Sequence, residues 1–167
     1  MDMQIDIDLE DPRWATLDLA TLAARAAMGV AADRALAPDQ CELSVLGCDD
    51  ARIAELNAEF RGKPAPTNVL SWPAEERGVD VPGQVPAAPV PDMFGMIAFG
   101  DVAIAYETCL REAEEQQKTA QDHVTHLLVH AILHLLGYDH IDDQDAALME
   151  ETERRILDRM GIVNPYE

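Results

Sequence analysis

Lysine is almost missing from this chain of 167 residues: Lys63 and Lys118 are the only two, and all twelve Lys and Arg together face 32 acids, for a formal charge of −20. Affinity for a polyanion normally comes from cations displacing counterions, so attraction of nucleic acid by global charge is excluded. Any such contact must use a local basic patch or be delivered by a protein partner. Cysteine is scarce as well. Cys41, Cys48 and Cys109 are odd in number and form no CxxC pair, which argues against a disulfide framework and for a reducing compartment. No apolar run is long enough to cross a bilayer, and the N-terminal stretch MDMQIDIDLEDPRW has acids where a secretory signal would have a basic region and an apolar core. The expectation is a cytoplasmic protein with no membrane partner. A hydrophobic content of 48% at this length fits one domain spanning 1–167 with a real core. There is no internal repeat and no heptad run.

Histidine, by contrast, is concentrated. Four of the chain's five histidines lie between His126 and His140, in the stretch HLLVHAILHLLGYDH. Its Leu, Ile and Val content and its lack of proline favour a helix. His126, His130 and His134 then rise on one face, because four residues advance a helix by about 6 Å and turn it only about 40° beyond a full revolution. Gly137 follows where a residue without Cβ can leave the helix, and the chain can double back to bring His140 to the same point. His130, His134 and His140 thus offer three nitrogen ligands and leave a fourth position for water, the arrangement of a catalytic zinc rather than a closed structural one. One Zn2+ per chain is expected. His126 lies a turn too far back to share the ion and is assigned to the groove or to a supporting position behind the ligands. His123 carries still less signal.

The spacing of His130, His134, Gly137 and His140 is that of the extended zinc-peptidase motif HExxHxxGxxH, but Ala131 stands where that motif has its glutamate. Without that carboxylate a peptidase lacks its general base. HAILHLLGYDH instead resembles the HGxLHLLGYDH signature of the YbeY family of bacterial endoribonucleases and rRNA maturation factors, with Ala131 for the usual glycine. A second block agrees. NAEFRGKPAPTNVLSWP, from Asn57 to Pro73, is similar to the family's NxxFRxKxxxTDVLSFP, with Asn68 for the commoner aspartate and Trp72 for phenylalanine. In the family that arginine is a functional residue of the cleft, which the resemblance carries to Arg61.

Along the rest of the chain, Met3, Ile5, Ile7 and Leu9 alternate with Gln4, Asp6 and Asp8 as in a half-buried strand. Asp11 and Pro12 open an alanine-rich helix expected to stop at Gly29. Glu42 to Leu46 alternates again, and Asp49 or Asp50 caps a helix turning Ile53, Leu56 and Phe60 inward. After a short strand, Val69 to Trp72, the segment 73–91 is rich in Pro, Gly and Glu and reads as a long mobile loop, a lid or an insertion. Met96 to Ala105 resembles the family's GDIxI strand, placed next to the first, with Asp101 a candidate anchor of the active-site wall or a turn former. A charged helix from Ala105 to Lys118 follows, then the histidine helix capped by Asp122. Last comes an amphipathic helix, Asp142 to Met160, with Leu148, Ile156 and Met160 inward; Met149 is a core residue or a floor beneath the metal. The pattern predicts an α/β (α+β) fold, a small mixed four-stranded sheet covered by about five helices. The resemblance implies the same fold, with the metal helix central and the Arg61 loop facing it across a cleft.

A zinc ion on the three histidines would lower the pKa of its water from about 15.7 towards 7 without a protein base. A guanidinium would stabilise charge on the non-bridging oxygens of a phosphodiester, the role expected of Arg61, with Lys63 a looser phosphate contact. Asp139 is a candidate to orient a ligand histidine or to form the turn. The resemblance implies a single-strand endoribonuclease that matures ribosomal RNA, including the 16S 3′ end, and serves ribosome quality control. Its partners would be single-stranded rRNA and ribosomal particles or proteins, and not DNA. Two other readings stay open: a zinc peptidase or amidohydrolase, and a non-catalytic ribosome-assembly factor with a structural metal.

Overall fold

The computed structural model describes residues 3–162. The chain builds β1 (Gln4–Leu9), α1 (Arg13–Thr16), α2 (Leu19–Asp33), β2 (Cys41–Cys48), α3 (Asp50–Arg61), β3 (Val69–Pro73), β4 (Ile97–Ala105), α4 (Tyr106–Glu115), α5 (Ala120–Leu135) and α6 (Asp143–Arg159). The four strands form one sheet in the order β1-β2-β4-β3, with β1, β2 and β4 parallel and β3 antiparallel to β4. The mixed four-stranded sheet is as expected. The strand carrying Gly100 is not beside the first, however, because β2 lies between them.

Alternation decides which side chains reach the main core, and β4 changes parity midway. Glu42 pairs with Ala98 but Leu43 with Gly100, so Phe99 is an extra residue on β4. Ile97 and Phe99 therefore face the main core before the slip, and Val102 and Ile104 after it. Gly100 permits the irregularity: its φ is +137°, and a Cβ there would overlap the carbonyl oxygen of Trp72 on β3. Asp101 consequently points to the opposite face, where with Asp6 and Asp8 it lines a cavity of about 640 Å³. It neither anchors the histidine site nor closes a turn.

The helices depart from expectation where packing overrides local signals. The first predicted helix is two, broken by Asp18 in the left-handed conformation at φ 53°. Its second part runs through Gly29 instead of stopping there. A Cβ at Gly29 would overlap Met160 Cε and crowd Ile156, so this glycine lets α2 and α6 approach rather than ending a helix. The α4 helix stops short of Lys118, with Gln117 at φ 58° turning the chain. Thr119, not Asp122, caps α5: its Oγ1 accepts from the Asp122 amide at 3.1 Å, and Asp122 falls within the first turn.

The α5 helix is the centre of the fold, packed against α2, α4, α6, β3 and β4. Val124, Leu128, Ile132 and Leu135 on it are fully buried. On the other face of the sheet α3 sets Ile53 and Leu56 against Leu70, Ala103 and Ala105. Phe60, expected to point inward, is 58% exposed and rests edge-on against Trp72, ring centroids 5.1 Å apart. Met149 is a core residue.

The segment 74–96 has no helix or strand, yet it is tied down. The Arg77 guanidinium donates to the carbonyls of Ala98 (2.9 Å), Leu135 (3.2 Å) and Phe99 (3.3 Å), and the Gly83 amide donates to Asp145 at 2.8 Å. No helix among the described residues is long and apolar enough to cross a membrane.

Candidate active site

The last regular turn of α5 ends at Leu135, and Gly137 makes the break with φ +106°. Only glycine fits there, because a Cβ would overlap the Arg77 carbonyl. Tyr138 then donates its amide to the Leu133 carbonyl at 3.1 Å and buries its side chain. This turn carries His140 back over α5. Its ring centroid lies 5.3 Å from that of His130 and 6.2 Å from that of His134. His126, His130, His134 and His140 all line one cleft of about 290 Å³.

Two acceptors set the rings of His134 and His130. His134 Nδ1 donates to the Tyr138 carbonyl at 2.8 Å, and His130 Nδ1 meets the Glu153 carboxylate. A carbonyl oxygen only accepts, so His134 carries its proton on Nδ1, and an ionised Glu153 places the His130 proton there too; each Nε2 then keeps a lone pair for the cleft. This donor chemistry fits a divalent metal. Metal–nitrogen bonds of about 2.1 Å at tetrahedral angles would hold two imidazole centroids roughly 5 Å apart, near the His130–His140 spacing and about an ångström inside that of His134–His140. Among the described residues no three His, Cys, Asp or Glu already stand as a ligand group. Holding a metal would require the rings to turn so that their nitrogens converge.

The supporting groups differ from those expected. Asp139 Oδ1 accepts from the His140 backbone amide at 2.7 Å, so it shapes the turn and orients no imidazole. The Tyr138 carbonyl does that instead, a group no side-chain motif can announce. Glu153 on α6 carries a signal in the sequence: four residues after Met149 and three before Ile156, it is a carboxylate on an apolar stripe. It is fully buried. His126 lines the cleft one turn before His130, its Nε2 4.0 Å from Glu153 Oε2. Burial pushes its pKa down to about 4 against the opposing pull of that carboxylate, so the ring is neutral at physiological pH.

The facing wall comes from the end of α3. Gly62 adopts φ 68° and its amide reaches the Ala58 carbonyl, an αL ending, while the Lys63 amide reaches back to the Asn57 carbonyl. Buried Asn57 also donates its side-chain amide to the Ala65 carbonyl at 2.9 Å, which pins the loop. Arg61, in the last turn, lines the cleft with Thr67, Asn68 and Ser71 and is the one Lys or Arg among the described lining residues. Lys63 is exposed and does not line it. Asn68 Nδ2 donates to Glu112, whose Oε1 lies 3.0 Å from His123 Nε2. An aspartate at 68 would face that carboxylate with like charge, so asparagine suits this neighbour. His123 is thus a partner of Glu112 and does not line the cleft. Ala131 lines it where the peptidase motif has its glutamate.

Comparison with known proteins identifies the family. The family model described as Endoribonuclease YbeY matches residues 6–161. Curated relatives include Endoribonuclease YbeY of Ruegeria pomeroyi, 58% identical over 98% of both chains. That of Paracoccus denitrificans is also 58% identical, over 97% of this chain and 89% of its own. That of Azorhizobium caulinodans is 44% identical over 98% of this chain and 96% of its own. The solution structure of TM1509 from Thermotoga maritima, 22% identical, superposes with a TM-score of 0.56 over 95% of this chain and 92% of that one, a likeness of fold. With a model match over nearly its whole length and relatives this similar, the chain belongs to the Endoribonuclease YbeY family.

Proposed function

We propose that this chain is a metal-dependent single-strand endoribonuclease of ribosomal RNA maturation, acting as one domain with one Zn2+ held by His130, His134 and His140. The observation that carries the reading is the pair of acceptors, Glu153 and the Tyr138 carbonyl, that leave two adjacent imidazoles with free Nε2 lone pairs opposite a single arginine. When bound, the metal supplies an acidified water and a Lewis acid for a phosphoryl oxygen. Arg61 meets the scissile phosphate from the other wall and stabilises charge gathering on its non-bridging oxygens in the transition state. Thr67, Asn68 and Ser71 offer polar contacts to the backbone on either side. The cleft is far smaller than a nucleic-acid duplex, which favours an unpaired strand.

An excess of acids leaves little general attraction for RNA, so a ribosomal particle or ribosomal protein brings the substrate to the cleft. The three thiols are free and buried, in keeping with the cytoplasm. Ala131 at the position of the peptidase base speaks against protein hydrolysis. Labelled single-stranded RNA, the same RNA in a duplex, single-stranded DNA and casein, each incubated with Zn2+-loaded parent and His134→Ala protein, test the reading. Internal cuts in single-stranded RNA alone, lost in the variant, are expected. Equal cutting by a folded His134→Ala variant, or hydrolysis of casein, would refute it.

A further inference from the structure

Glu153 is the least expected residue of the site: a fully buried carboxylate on the inward face of α6, between core residues Met149 and Ile156. Desolvating such a group costs several kcal/mol, and an apolar side chain there would generally stabilise the fold as well or better. Its presence therefore calls for a reason beyond packing. Oε1 contacts His130 Nδ1, while Oε2 lies 4.0 Å from His126 Nε2, so one carboxylate bridges residues one turn apart on α5. Its helix is held in place from behind. Arg155 donates to both oxygens of Asp33 on α2 at 2.7 and 2.9 Å, Arg159 adds a third bond at 3.2 Å, and Gly29 admits Met160 and Ile156 to close contact.

We propose that Glu153 is a positioning residue for His130: its carboxylate holds the ring with the proton on Nδ1 and presents Nε2, with enhanced donor strength, to the cleft. The proposal rests on the reading of His130 as a metal ligand. A neutral imidazole in water exchanges between two tautomers and rotates freely, and only one tautomer in one orientation serves this site. A carboxylate on the far nitrogen selects that form and raises its basicity, and losing such a partner typically weakens metal binding 10- to 100-fold. Glu153→Gln separates charge from shape, since its amide oxygen can still accept from Nδ1 while the negative charge is gone.

Two measurements on the full chain test this. In nitrogen-15 spectra of the metal-free parent, His130 is expected as the Nδ1–H tautomer, with the population of the other form rising in Glu153→Gln. In competition for Zn2+ against a chromophoric chelator, Glu153→Gln is expected to bind about 10- to 100-fold more weakly and Glu153→Asp to recover part of the loss, with unchanged urea midpoints. A folded Glu153→Gln protein that binds Zn2+ within twofold of the parent would overturn the proposal, as would a parent His130 protonated on Nε2. If the parent binds no Zn2+, the metal reading fails separately, and the tautomer spectrum alone decides whether Glu153 governs the ring. The same spectrum of the parent decides the matter should Glu153→Gln not fold.

Discussion

Replacing Gly137 by alanine probes how tightly the break in α5 is coupled to the loop beside it. At φ +106° an alanine carries strain of about 1–3 kcal/mol. Its Cβ would also overlap the backbone carbonyl of Arg77, which cannot swing aside like a side-chain end, so the loop must retreat. That retreat weakens the three bonds from the Arg77 guanidinium to the Ala98, Phe99 and Leu135 carbonyls. Because Arg77 is half-buried and one guanidinium is shared among the three, we take those bonds together as about 2 kcal/mol, less than the sum of three independent charged bonds. Gly137→Ala should then cost about 3–5 kcal/mol, or roughly 10 °C in Tm for a chain of this size. Arg77→Ala alone should cost about 2 kcal/mol. The double variant should fall short of the sum by about 1–2 kcal/mol, since both changes release the same loop. Urea denaturation of the metal-free proteins measures all three. A Gly137→Ala chain within 1 kcal/mol of the parent, or strict additivity in the double variant, would refute the argument.

Arg61→Ala should lower kcat on single-stranded RNA by about 10²–10³ with Zn2+ affinity unchanged, and Arg61→Lys should restore only part, because an amine lacks the bidentate fork; steady-state kinetics with a parallel metal titration check both. Chelation should abolish cleavage and lower Tm without unfolding the protein at room temperature, with recovery on adding Zn2+; a folded, chelated enzyme that still cuts RNA would exclude metal catalysis. Arg155 holds the Asp33 carboxyl below its ordinary value, mainly through a direct hydrogen bond, so this pair stabilises the native state above the unfolded carboxyl pKa of about 4 and loses its effect as pH falls below that. Arg155→Ala should cost about 1–2 kcal/mol at pH 7 and less at pH 3, as followed by urea melts at each pH; an equal cost at both would contradict the assignment.

Much of the site was legible because its signals are local. His130, His134, Gly137 and His140 occupy fifteen consecutive positions with His126, and helix geometry alone puts His130 and His134 on one face. Arg61 needed a resemblance, since a lone exposed arginine at a helix end carries no chemical signature. What could not be read depends on contacts distant in sequence. Arg77 lies 58 residues from the Leu135 carbonyl it caps. Gly29 looked like a helix stop because glycine is a poor helix former, but α6 needed the space more than α2 needed the propensity. Asp101 lost its expected place to one extra residue in β4, which exchanged the two faces of that strand. Asp122 yielded the cap to Thr119 because the backbone is extended at the threonine and already helical at the aspartate.

The two imidazoles that flank the last turn of α5 differ in what evolution or a designer could do with them. The ring of His134 leans on a main-chain oxygen, which every residue type at position 138 would provide. The ring of His130 leans on a side chain, which a single codon change can lengthen, shorten or neutralise. The orientation of one imidazole is therefore adjustable by substitution and that of the other nearly invariant.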